Sequence, residues 1–306
     1  MAAVAAGESG GTLRNAKLRE ALTGYAFVLV PMTVFAVFFL YPIGYAVYIS
    51  FFDWGVLGKI EGVGLENYRD LVEDEIFHKA VKNTLLYTAG VVPAQMALGL
   101  LLAVIVNQKI RARTFFRSAF FFPSIASSAA ITAIALYLLA SNGLVNAILG
   151  GLGLPDNTSW FGDSDTALPS IMGLNVWTTS GTMMLFYLAS LQSISEDVYE
   201  AAAIDGAGPW RTFWKITFPL LKPGHFFVAV LSVIGCLKIF DQAFIVSAGK
   251  GGPAYSTETA VLYLYQTAIF DQFWGYAAAL GVALFVIIFA ITLAQRLLFG
   301  KAEIGY

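Results

Sequence analysis

Six long apolar stretches dominate this sequence, at residues 24–51, 84–106, 116–140, 168–191, 225–247 and 276–298. A hydrocarbon core about 30 Å thick requires roughly 20 apolar residues in helical conformation, and each stretch reaches that length. Backbone groups inside lipid find no water to pair with, so segments of this kind cross a membrane as helices. The sequence therefore predicts an all-α integral membrane protein with six spans.

The composition excludes the soluble classes. Hydrophobic residues make up 58% of the chain and charged residues 12%, against roughly 45–50% and about 25% in soluble proteins. The single cysteine, Cys236, excludes an intramolecular disulfide framework and a cysteine-only metal cluster. His78 and His225 are far apart in the sequence, which argues against a metal site or a nucleophilic triad. We also find no basic groove for nucleic acid.

The charges between the apolar stretches indicate the orientation. With the N-terminus inside, twelve of the 18 lysines and arginines fall on the cytoplasmic side, while Lys238 lies within a span. The positive-inside rule then places both termini in the cytoplasm. We expect a cytoplasmic segment 1–23, a six-span domain 24–298 and a cytoplasmic tail 299–306. The first stretch follows basic residues, as a signal peptide does, but its length favours a retained anchor.

The connection 192–224 is the one long cytoplasmic segment in this topology. Ser195 is a good helix N-cap, and Gly206 and Gly208 are expected to end a helix that covers Val198–Ile204. Pro209 can open a second helix over 210–218, which Pro219 and Pro223 are expected to stop. The pattern predicts a helix–turn–helix knob that exposes Ala201, Ala202 and Ala207. An interfacial amphipathic element, with its aromatic residues in the headgroup region, is the alternative interpretation.

The order of residues in this connection resembles the EAA loop of ATP-binding-cassette importer permeases. The matching residues are Glu200, Ala201, Ala202, Asp205, Gly206, Ala207, Phe213, Ile216, Pro219 and Pro223. Further motifs resemble the carbohydrate-uptake permeases of the maltose and glycerol-phosphate type, in particular the first permease of each system, similar to the larger maltose permease subunit. These motifs are Tyr41-Pro42, Gly64 to Tyr68, Asn83-Thr84, Phe116-Arg117 with Pro123, Gly143 to Asn146, Phe240-Asp241 and Gly251 to Pro253.

The resemblance implies a six-span type I importer bundle whose EAA loop docks into a cytoplasmic ATPase dimer. It also implies a second homologous permease, an extracytoplasmic solute-binding protein and a sugar-like solute as partners within the lipid bilayer. The sequence has no G-x-x-x-x-G-K-[ST] motif. We therefore expect no cofactor on this chain and no enzymatic activity of its own, with ATP and Mg²⁺ bound by the partner ATPase.

The same resemblance implies a set of residues that line the solute site. They are Ser124, Ser128, Asn175, Trp177, Thr178, Thr179, Ser232 and Cys236. Hydroxyl and amide groups suit sugar hydroxyls, and an indole ring suits the apolar face of a sugar. The alternative is that the serines and threonines only join membrane helices. Asp241 is a further candidate, or it forms a self-compensating pair with Lys238 three residues earlier.

Two other functional classes stay open at this point. A stand-alone secondary transporter or channel usually shows internal duplication, with ion-binding carboxylates near broken helices. Here Asp241 is the only carboxylate within a predicted span, and no duplication is visible. A membrane enzyme is less favoured, because no convergent acid, base or nucleophile is apparent. An importer subunit is the function that the sequence favours.

Overall fold

The computed structural model describes residues 8–108 and 111–299 and is mostly helical. Its helices and strands are α1 (Glu8–Phe35), α2 (Tyr41–Ile49), β1 (Phe52–Gly55), β2 (Gly58–Gly62), α3 (Glu66–Glu73), α4 (Glu75–Asn107), α5 (Arg113–Ile125), α6 (Ser128–Leu138), α7 (Leu144–Gly151), α8 (Ala167–Gln192), α9 (Glu196–Ile204), α10 (Pro209–Thr212), α11 (Phe218–Leu220), α12 (Lys222–Leu237), α13 (Asp241–Val246), α14 (Ala260–Tyr265) and α15 (Trp274–Phe299). Short π-helical segments at Ala36–Leu40, Phe213–Thr217 and Gln266–Phe270 join some of these helices.

Four helical segments in the described ranges are long and apolar enough to cross a membrane. They are Leu18–Ile49, Glu75–Asn107, Lys222–Val246 and Trp274–Leu297, and a fifth arises if the bent pair α5–α6 counts as one span. Each coincides with a predicted stretch. The remaining stretch, 168–191, is the 26-residue helix α8. At about 1.5 Å per residue α8 is long enough to span the hydrocarbon core, although it is less apolar than the other segments.

The core of the bundle lies where α4 packs along α8 and α12. Glycines allow the helices to approach closely at two places, one between α4 and α8 and one between α8 and α5. A Cβ atom on Gly99 of α4 would lie 2.7 Å from the Cβ of Met183 on α8. A Cβ on Gly181 of α8 would lie 2.4 Å from the Phe120 carbonyl oxygen on α5. Close backbone approach through small residues is the usual way in which membrane helices gain packing energy.

Prolines in two helices coincide with π-helical segments rather than with helix ends. Ala36–Leu40 lies just before Pro42, and Phe213–Thr217 lies just before Pro219. A wider turn removes the clash of a proline ring with the preceding turn and tolerates its missing N–H group. The prediction that Pro219 and Pro223 stop the second helix of the knob is therefore wrong. The chain stays helical through Pro219, and Pro223 occupies the first turn of α12, where no N–H partner is needed.

The predicted span 116–140 is not one straight helix. Its two halves, α5 and α6, meet at an angle of 92°. Ala126 and Ser127 take extended backbone angles at the bend, with ψ values of 150° and 127°. The halves pack against different partners, α5 against α8 and α6 against α13. The packing on two different helices accounts for the angle of the bend, and Pro123, Ser124, Ser127 and Ser128 lie beside it in the sequence.

The predicted span 225–247 is interrupted as well, between α12 and α13. The Ile239 carbonyl, which loses its place in a helix there, accepts a hydrogen bond of 3.1 Å from the Thr259 hydroxyl. Lys238 caps the end of α12 and Asp241 begins α13. The two side chains therefore do not face each other across one helical turn, and in the described structure they form no ion pair. The predicted self-compensating pair is wrong for that reason.

The connections 50–74 and 247–273 meet at one end of the bundle. The Asn83 side chain donates hydrogen bonds to the Tyr255 and Glu258 carbonyls, at 2.7 and 2.9 Å. The Thr84 hydroxyl accepts one from the Ala260 N–H at 2.9 Å. The Asn83-Thr84 motif thus holds the later connection in place. The hairpin β1–β2 and helix α14 in these connections, and helix α7 between α6 and α8, were not predicted.

Candidate coupling and solute sites

The predicted knob is present and begins with α9. The Ser195 hydroxyl accepts a hydrogen bond of 3.3 Å from the Asp197 N–H, as an N-cap does. The acidic residues Glu196 and Asp197 occupy the first turn, where the helix dipole favours negative charge. The predicted cap is confirmed, and the helix starts two residues earlier than expected.

A left-handed glycine ends α9. Gly206 has φ +71°. The Ala207 N–H donates to the Ala202 carbonyl at 2.9 Å, and the Gly206 N–H donates to the Ala203 carbonyl at 3.1 Å. These two bonds form a Schellman motif, which requires a residue without a Cβ penalty at the left-handed position. The second helix then starts at Pro209, with Gly208 as its N-cap.

The surface of α9 differs in part from the prediction. Ala201 is exposed as predicted, whereas the prediction is wrong for Ala202, which is buried, and for Ala207, which is half-buried; Glu200 and Asp205 are exposed as well. The Ala202 carbonyl accepts the closing bond of the Schellman motif, and the Ala202 side chain lies on the buried side of α9. Ile204, which the sequence analysis did not single out, is 86% exposed at the helix end.

The second half of the knob is anchored on the bundle. Phe213 is half-buried against the core cluster that contains residues of α4, α8 and α12. The Thr217 hydroxyl donates to the Tyr199 phenol oxygen at 3.3 Å, which ties this half to α9. Ile216 is half-buried and Pro219 is exposed. The knob is therefore fixed to the helices that form the core, so a force on α9 reaches them.

A cluster of polar side chains links four helices within the bundle. The Thr179 hydroxyl of α8 donates to the Gln95 side-chain oxygen of α4 at 2.5 Å. The Gln95 amide donates to the Cys236 sulfur of α12 at 3.8 Å. The Asn175 amide of α8 donates to the side-chain oxygen of Gln242 on α13 at 3.3 Å. Gln95, Gln242 and Cys236 are buried, whereas Asn175 and Thr179 are partly accessible.

Several predicted solute residues lie outside this cluster and bind neighbouring helices. The Ser124 hydroxyl donates to the Thr178 carbonyl at 2.7 Å and so joins α5 to α8. The Thr178 hydroxyl donates to the carbonyl of Asn175 in its own helix, at 3.0 Å. The buried Ser232 hydroxyl donates to the Met183 sulfur at 3.4 Å. The Ser124 and Ser232 contacts match the alternative in which hydroxyl groups join membrane helices, whereas the Thr178 bond stays within α8.

The other predicted residues are more accessible. Trp177 is 54% exposed on α8. It follows Asn175 by two residues, so the two side chains point to different sides of the helix. Ser128 is half-buried in the first turn of α6, and Asp241 is exposed at the start of α13. The structure thus brings Asn175, Thr179 and Cys236 together and leaves Trp177, Ser128 and Asp241 apart from them. Their roles in solute binding stay predictions.

Comparison with known proteins decides the family. A family model described as the inner membrane component of binding-protein-dependent transport systems matches residues 95–303. The chain belongs to this family of transport-system membrane components. It is 33% identical to the multiple sugar-binding transport system permease protein MsmF of Streptococcus mutans, over 92% of the chain and 96% of MsmF. It is 35% identical to the arabinooligosaccharides transport system permease protein AraP of Bacillus subtilis, over 90% of the chain and 88% of AraP.

The fold of this permease is also similar to that of a solved transporter. A chain in the crystal structure of a bacterial alginate ABC transporter, in complex with an alginate pentasaccharide-bound periplasmic protein, superposes with a TM-score of 0.81. The match covers 94% of this permease and 96% of that chain at 22% identity. At that level of identity the likeness concerns the fold. Permease subunits of this family are not enzymes themselves.

The two candidate sites of the permease are connected through α4 and α8. The knob packs at the C-terminal end of α4, where Asn107, Tyr199 and Phe213 line a cavity of about 370 Å³. The connections held by Asn83 lie near the opposite end of the same helix. A helix of 33 residues is about 50 Å long. The polar cluster around Gln95 lies between these two ends.

Two members of the polar cluster, Gln95 and Gln242, were missed by sequence reasoning. Gln95 is a lone amide inside the apolar run 84–106. The rule that intramembrane polar residues default to functional hypotheses could have found it. Gln242 follows Asp241 directly, and a neutral amide beside a carboxylate is the weaker of the two polar signals in this span. The break between α12 and α13, which turns Gln242 inward, was needed to recognise its place.

Proposed function

We propose that this permease is the transmembrane subunit of an ATP-driven importer that moves a sugar or a related polyol derivative into the cytoplasm. The carbohydrate class is supported by the relatives MsmF and AraP, whose names refer to multiple sugars and to arabinooligosaccharides. Both are at least 33% identical to this chain over most of its length. The family description supports delivery of the solute by a separate binding protein.

In the proposed topology, six spans cross the inner membrane and both termini face the cytoplasm. The spans fall within the domain 24–298, with α8 as the fourth and the bent pair α5–α6 as the third. The knob end of the bundle carries Arg113, Arg117, Arg211 and Lys215, whereas acidic residues collect around α3 at the other end. This charge asymmetry supports a cytoplasmic knob.

The exposed helix α9, ended by left-handed Gly206, is the observation that carries the proposal. We propose that α9 fits a cleft on a cytoplasmic ATPase, which binds ATP and Mg²⁺ and moves this helix when its two copies close. Glu200, Ala201, Asp205 and Ile204 are the exposed residues available for that contact. Coupling requires that the nucleotide state and the solute each favour one of two arrangements of the bundle.

The solute is proposed to contact the accessible side of the polar cluster. Asn175 and Thr179 offer an amide and a hydroxyl there, and Trp177 offers an exposed indole face on the same helix. A second, homologous permease would cover the exposed face of α8 and complete the passage. Ser124, Ser128, Thr178, Ser232, Cys236 and Asp241 are the remaining candidates near that passage.

Reconstitution into vesicles with the partner subunits and the solute-binding protein tests the proposal. We expect sugar uptake that depends on ATP and not on a proton or sodium gradient. Glu200→Gln on α9 is expected to lower solute-stimulated ATP hydrolysis by about tenfold, the effect of losing roughly 1.4 kcal/mol of contact. Glu196→Gln, an equal change of charge on the same exposed helix, is the control.

Two results would contradict this function in different ways. Uptake by the purified chain alone, driven by an ion gradient, would assign it to the secondary transporters. Equal ATPase coupling in the Glu200→Gln and Glu196→Gln variants would leave an importer whose contact with the ATPase lies elsewhere. For the solute site, Trp177→Ala is expected to reduce uptake while the complex still assembles.

A further inference from the structure

The second half of the knob is one continuous helical segment that leads directly into a membrane span. It runs from Pro209 through the π-helical turn Phe213–Thr217 to Leu220, and α12 follows at Lys222. The candidate span Lys222–Val246 begins at that same residue. Because the segment ends where a span begins, it lies at the surface of the bilayer, at the level of the lipid headgroups.

This segment has a side that packs on the bundle and a side that carries exposed aromatic rings. Phe213 is half-buried and Thr217 is buried. Trp210, Trp214 and Phe218 follow one another at intervals of four residues, and all three are exposed. Their rings contact each other in a row. An amphipathic helix with exposed aromatic rings is typical of a membrane interface.

The exposed tryptophans of the segment also have unused hydrogen-bond donors. Trp160, in the connection before α8, donates its indole N–H to the Asn146 side-chain oxygen at 2.9 Å. The indole N–H groups of Trp210 and Trp214 have no acceptor among the described residues. At a membrane interface an indole ring lies near the acyl chains, and its N–H reaches the polar headgroup region. The two side chains fit that position.

A row of basic side chains runs beside the aromatic row. Arg211 and Lys215 each follow a tryptophan by one residue and lie one turn apart, and Lys222 lies about two turns further on. All three are exposed, and in the described part of the chain none forms an ion pair or a hydrogen bond through its side chain. Residues 206–224 contain no Asp or Glu. The segment therefore presents uncompensated positive charge at the membrane surface.

We propose that this segment binds anionic phospholipid in the leaflet on the knob side of the membrane. The binding face consists of Trp210, Arg211, Trp214, Lys215, Phe218 and Lys222. Arg211 can hold two oxygens of a headgroup phosphate at once, and the lysines add point charges beside it. The aromatic rings would contact the glycerol and the upper acyl chains, which anionic and zwitterionic lipids share. The proposal goes beyond the importer function and does not depend on the solute carried.

The test is native mass spectrometry of the purified full-length chain in detergent, titrated with phosphatidylglycerol or with phosphatidylcholine, so that each bound lipid is resolved. The wild type is expected to bind phosphatidylglycerol more tightly. The test variant is Arg211→Gln with Lys215→Gln and Lys222→Gln. We expect its dissociation constant for the first phosphatidylglycerol to rise about fivefold or more, and that for phosphatidylcholine to stay near the wild-type value.

A matched control removes the same side chains from the other end of the bundle. Arg69→Gln with Lys79→Gln and Lys82→Gln also loses one arginine and two lysines, all exposed, and is expected to keep the wild-type affinity for both lipids. Trp210→Ala tests the aromatic row. We expect this variant to bind both lipids about twofold more weakly, because the ring contacts the part that they share.

Three results would overturn the lipid proposal while the importer function stands. The first is a wild type that binds phosphatidylglycerol no more tightly than phosphatidylcholine, which needs no variant. The second is an equal loss of phosphatidylglycerol affinity in the test and control variants. The third is a test variant that keeps its affinity for phosphatidylglycerol but no longer binds the ATPase, which would assign the basic row to that partner.

Discussion

His225 at the start of α12 and Tyr187 on α8 share a hydrogen bond, with 3.0 Å between the His225 Nδ1 and the Tyr187 phenol oxygen. The other ring nitrogen, Nε2, lies 3.3 Å from the Phe218 carbonyl oxygen. A carbonyl can only accept, so Nε2 carries the proton. In the neutral ring Nδ1 is then the acceptor, and Tyr187 is the donor. This pair joins the knob to the core of the bundle.

The same histidine ends a row of aromatic rings that starts on the exposed knob. Trp210 contacts Trp214 with a centroid distance of 5.7 Å, and Trp214 contacts Phe218 at 5.2 Å. Phe218 in turn contacts His225 at 4.5 Å. Trp210 is 76% exposed, whereas Tyr187 is 1% exposed. The row offers a physical connection between the exposed end of the knob, which lies beside the proposed ATPase contact, and α8, the helix that carries Asn175 and Thr179.

Tyr187→Phe is expected to weaken this connection. The substitution keeps the ring and removes the donor, so the Nδ1 atom of His225 loses its partner at a cost of about 1–2 kcal/mol. We expect the number of solute molecules moved per ATP to fall roughly fivefold in reconstituted vesicles, which corresponds to about 1 kcal/mol. Tyr137→Phe, the same change on an 82% exposed tyrosine of α6, is the control. An unchanged ratio in Tyr187→Phe would limit the row to a packing role.

Comparing Gly206→Ala with Gly208→Ala distinguishes the effect of backbone strain from the effect of adding a methyl group. Neither glycine has any atom within 4 Å of an added Cβ, but only Gly206 has a positive φ, +71°. An alanine at a left-handed position costs about 1–2 kcal/mol. We therefore expect Gly206→Ala to lower solute-stimulated ATP hydrolysis and Gly208→Ala to leave it near the wild-type rate. Equal rates in the two variants would mean that the Schellman motif is not required for coupling.

The helix starts and the first helix end of the knob could be predicted from the sequence. Ser195, Gly206 and Pro209 act through their own backbone and side-chain chemistry, and each stands in the predicted role. The apolar stretches likewise predicted the long helices, because length and polarity decide whether a helix can cross a bilayer. What each of these residues does depends on its nearest neighbours in the chain.

The features that were missed depend on contacts between distant parts of the chain. The angle between α5 and α6 follows from packing on two different helices. The burial of Ala202 depends on how α9 packs against the rest of the chain. The cluster of Gln95 and Gln242 needs α4 and α13 to meet α8, which no spacing rule predicts.

Gln95→Leu tests whether the polar cluster supports the solute site. Leucine has a similar volume but removes the acceptor for the Thr179 hydroxyl and the donor to the Cys236 sulfur. Thr179 still donates to the Asn175 carbonyl at 2.7 Å, so the helix is expected to fold. We predict a rise of about tenfold in the KM for uptake with little change in basal ATP hydrolysis, equivalent to roughly 1.4 kcal/mol of solute binding.

A polar residue outside the cluster controls for loss of an amide. Gln192→Leu, at the exposed end of α8, is expected to keep the wild-type KM. A rise in KM in both variants would point to a general effect on the membrane insertion of the permease. An unchanged KM in Gln95→Leu would restrict the cluster to holding α4, α8 and α12 together.

Glu258 gives the permease a stability that depends on pH. This residue lies between the spans, after α13 and before α14, and is 0% exposed. One carboxylate oxygen accepts a hydrogen bond of 3.1 Å from the Gln266 amide, and the other has no partner among the described residues. Gly251 lies so close that a Cβ there would be 1.8 Å from the carboxylate. Burial raises the pKa of Glu258 to about 7, although the bond from Gln266 opposes the rise.

The direction of the pH effect follows from that raised pKa. Between its ordinary value of 4.5 and about 7, the folded chain holds a proton on Glu258 that the unfolded chain has released. Glu258 therefore contributes most to stability below pH 4.5, and the contribution is lost as pH rises to about 7. The loss amounts to about 3 kcal/mol for a shift of this size. Glu258→Gln cannot ionise, so this part of the pH dependence is expected to disappear.

Thermal unfolding of the purified permease in detergent, followed by tryptophan fluorescence from pH 5 to pH 8, measures this effect. We expect the Tm of the wild type to fall by several degrees more than that of Glu258→Gln over this range. Glu200→Gln, an exposed glutamate on α9, should keep the wild-type slope. Parallel curves for the wild type and Glu258→Gln would show that the carboxylate is already ionised at pH 5, and that a cation or water compensates it in the folded protein.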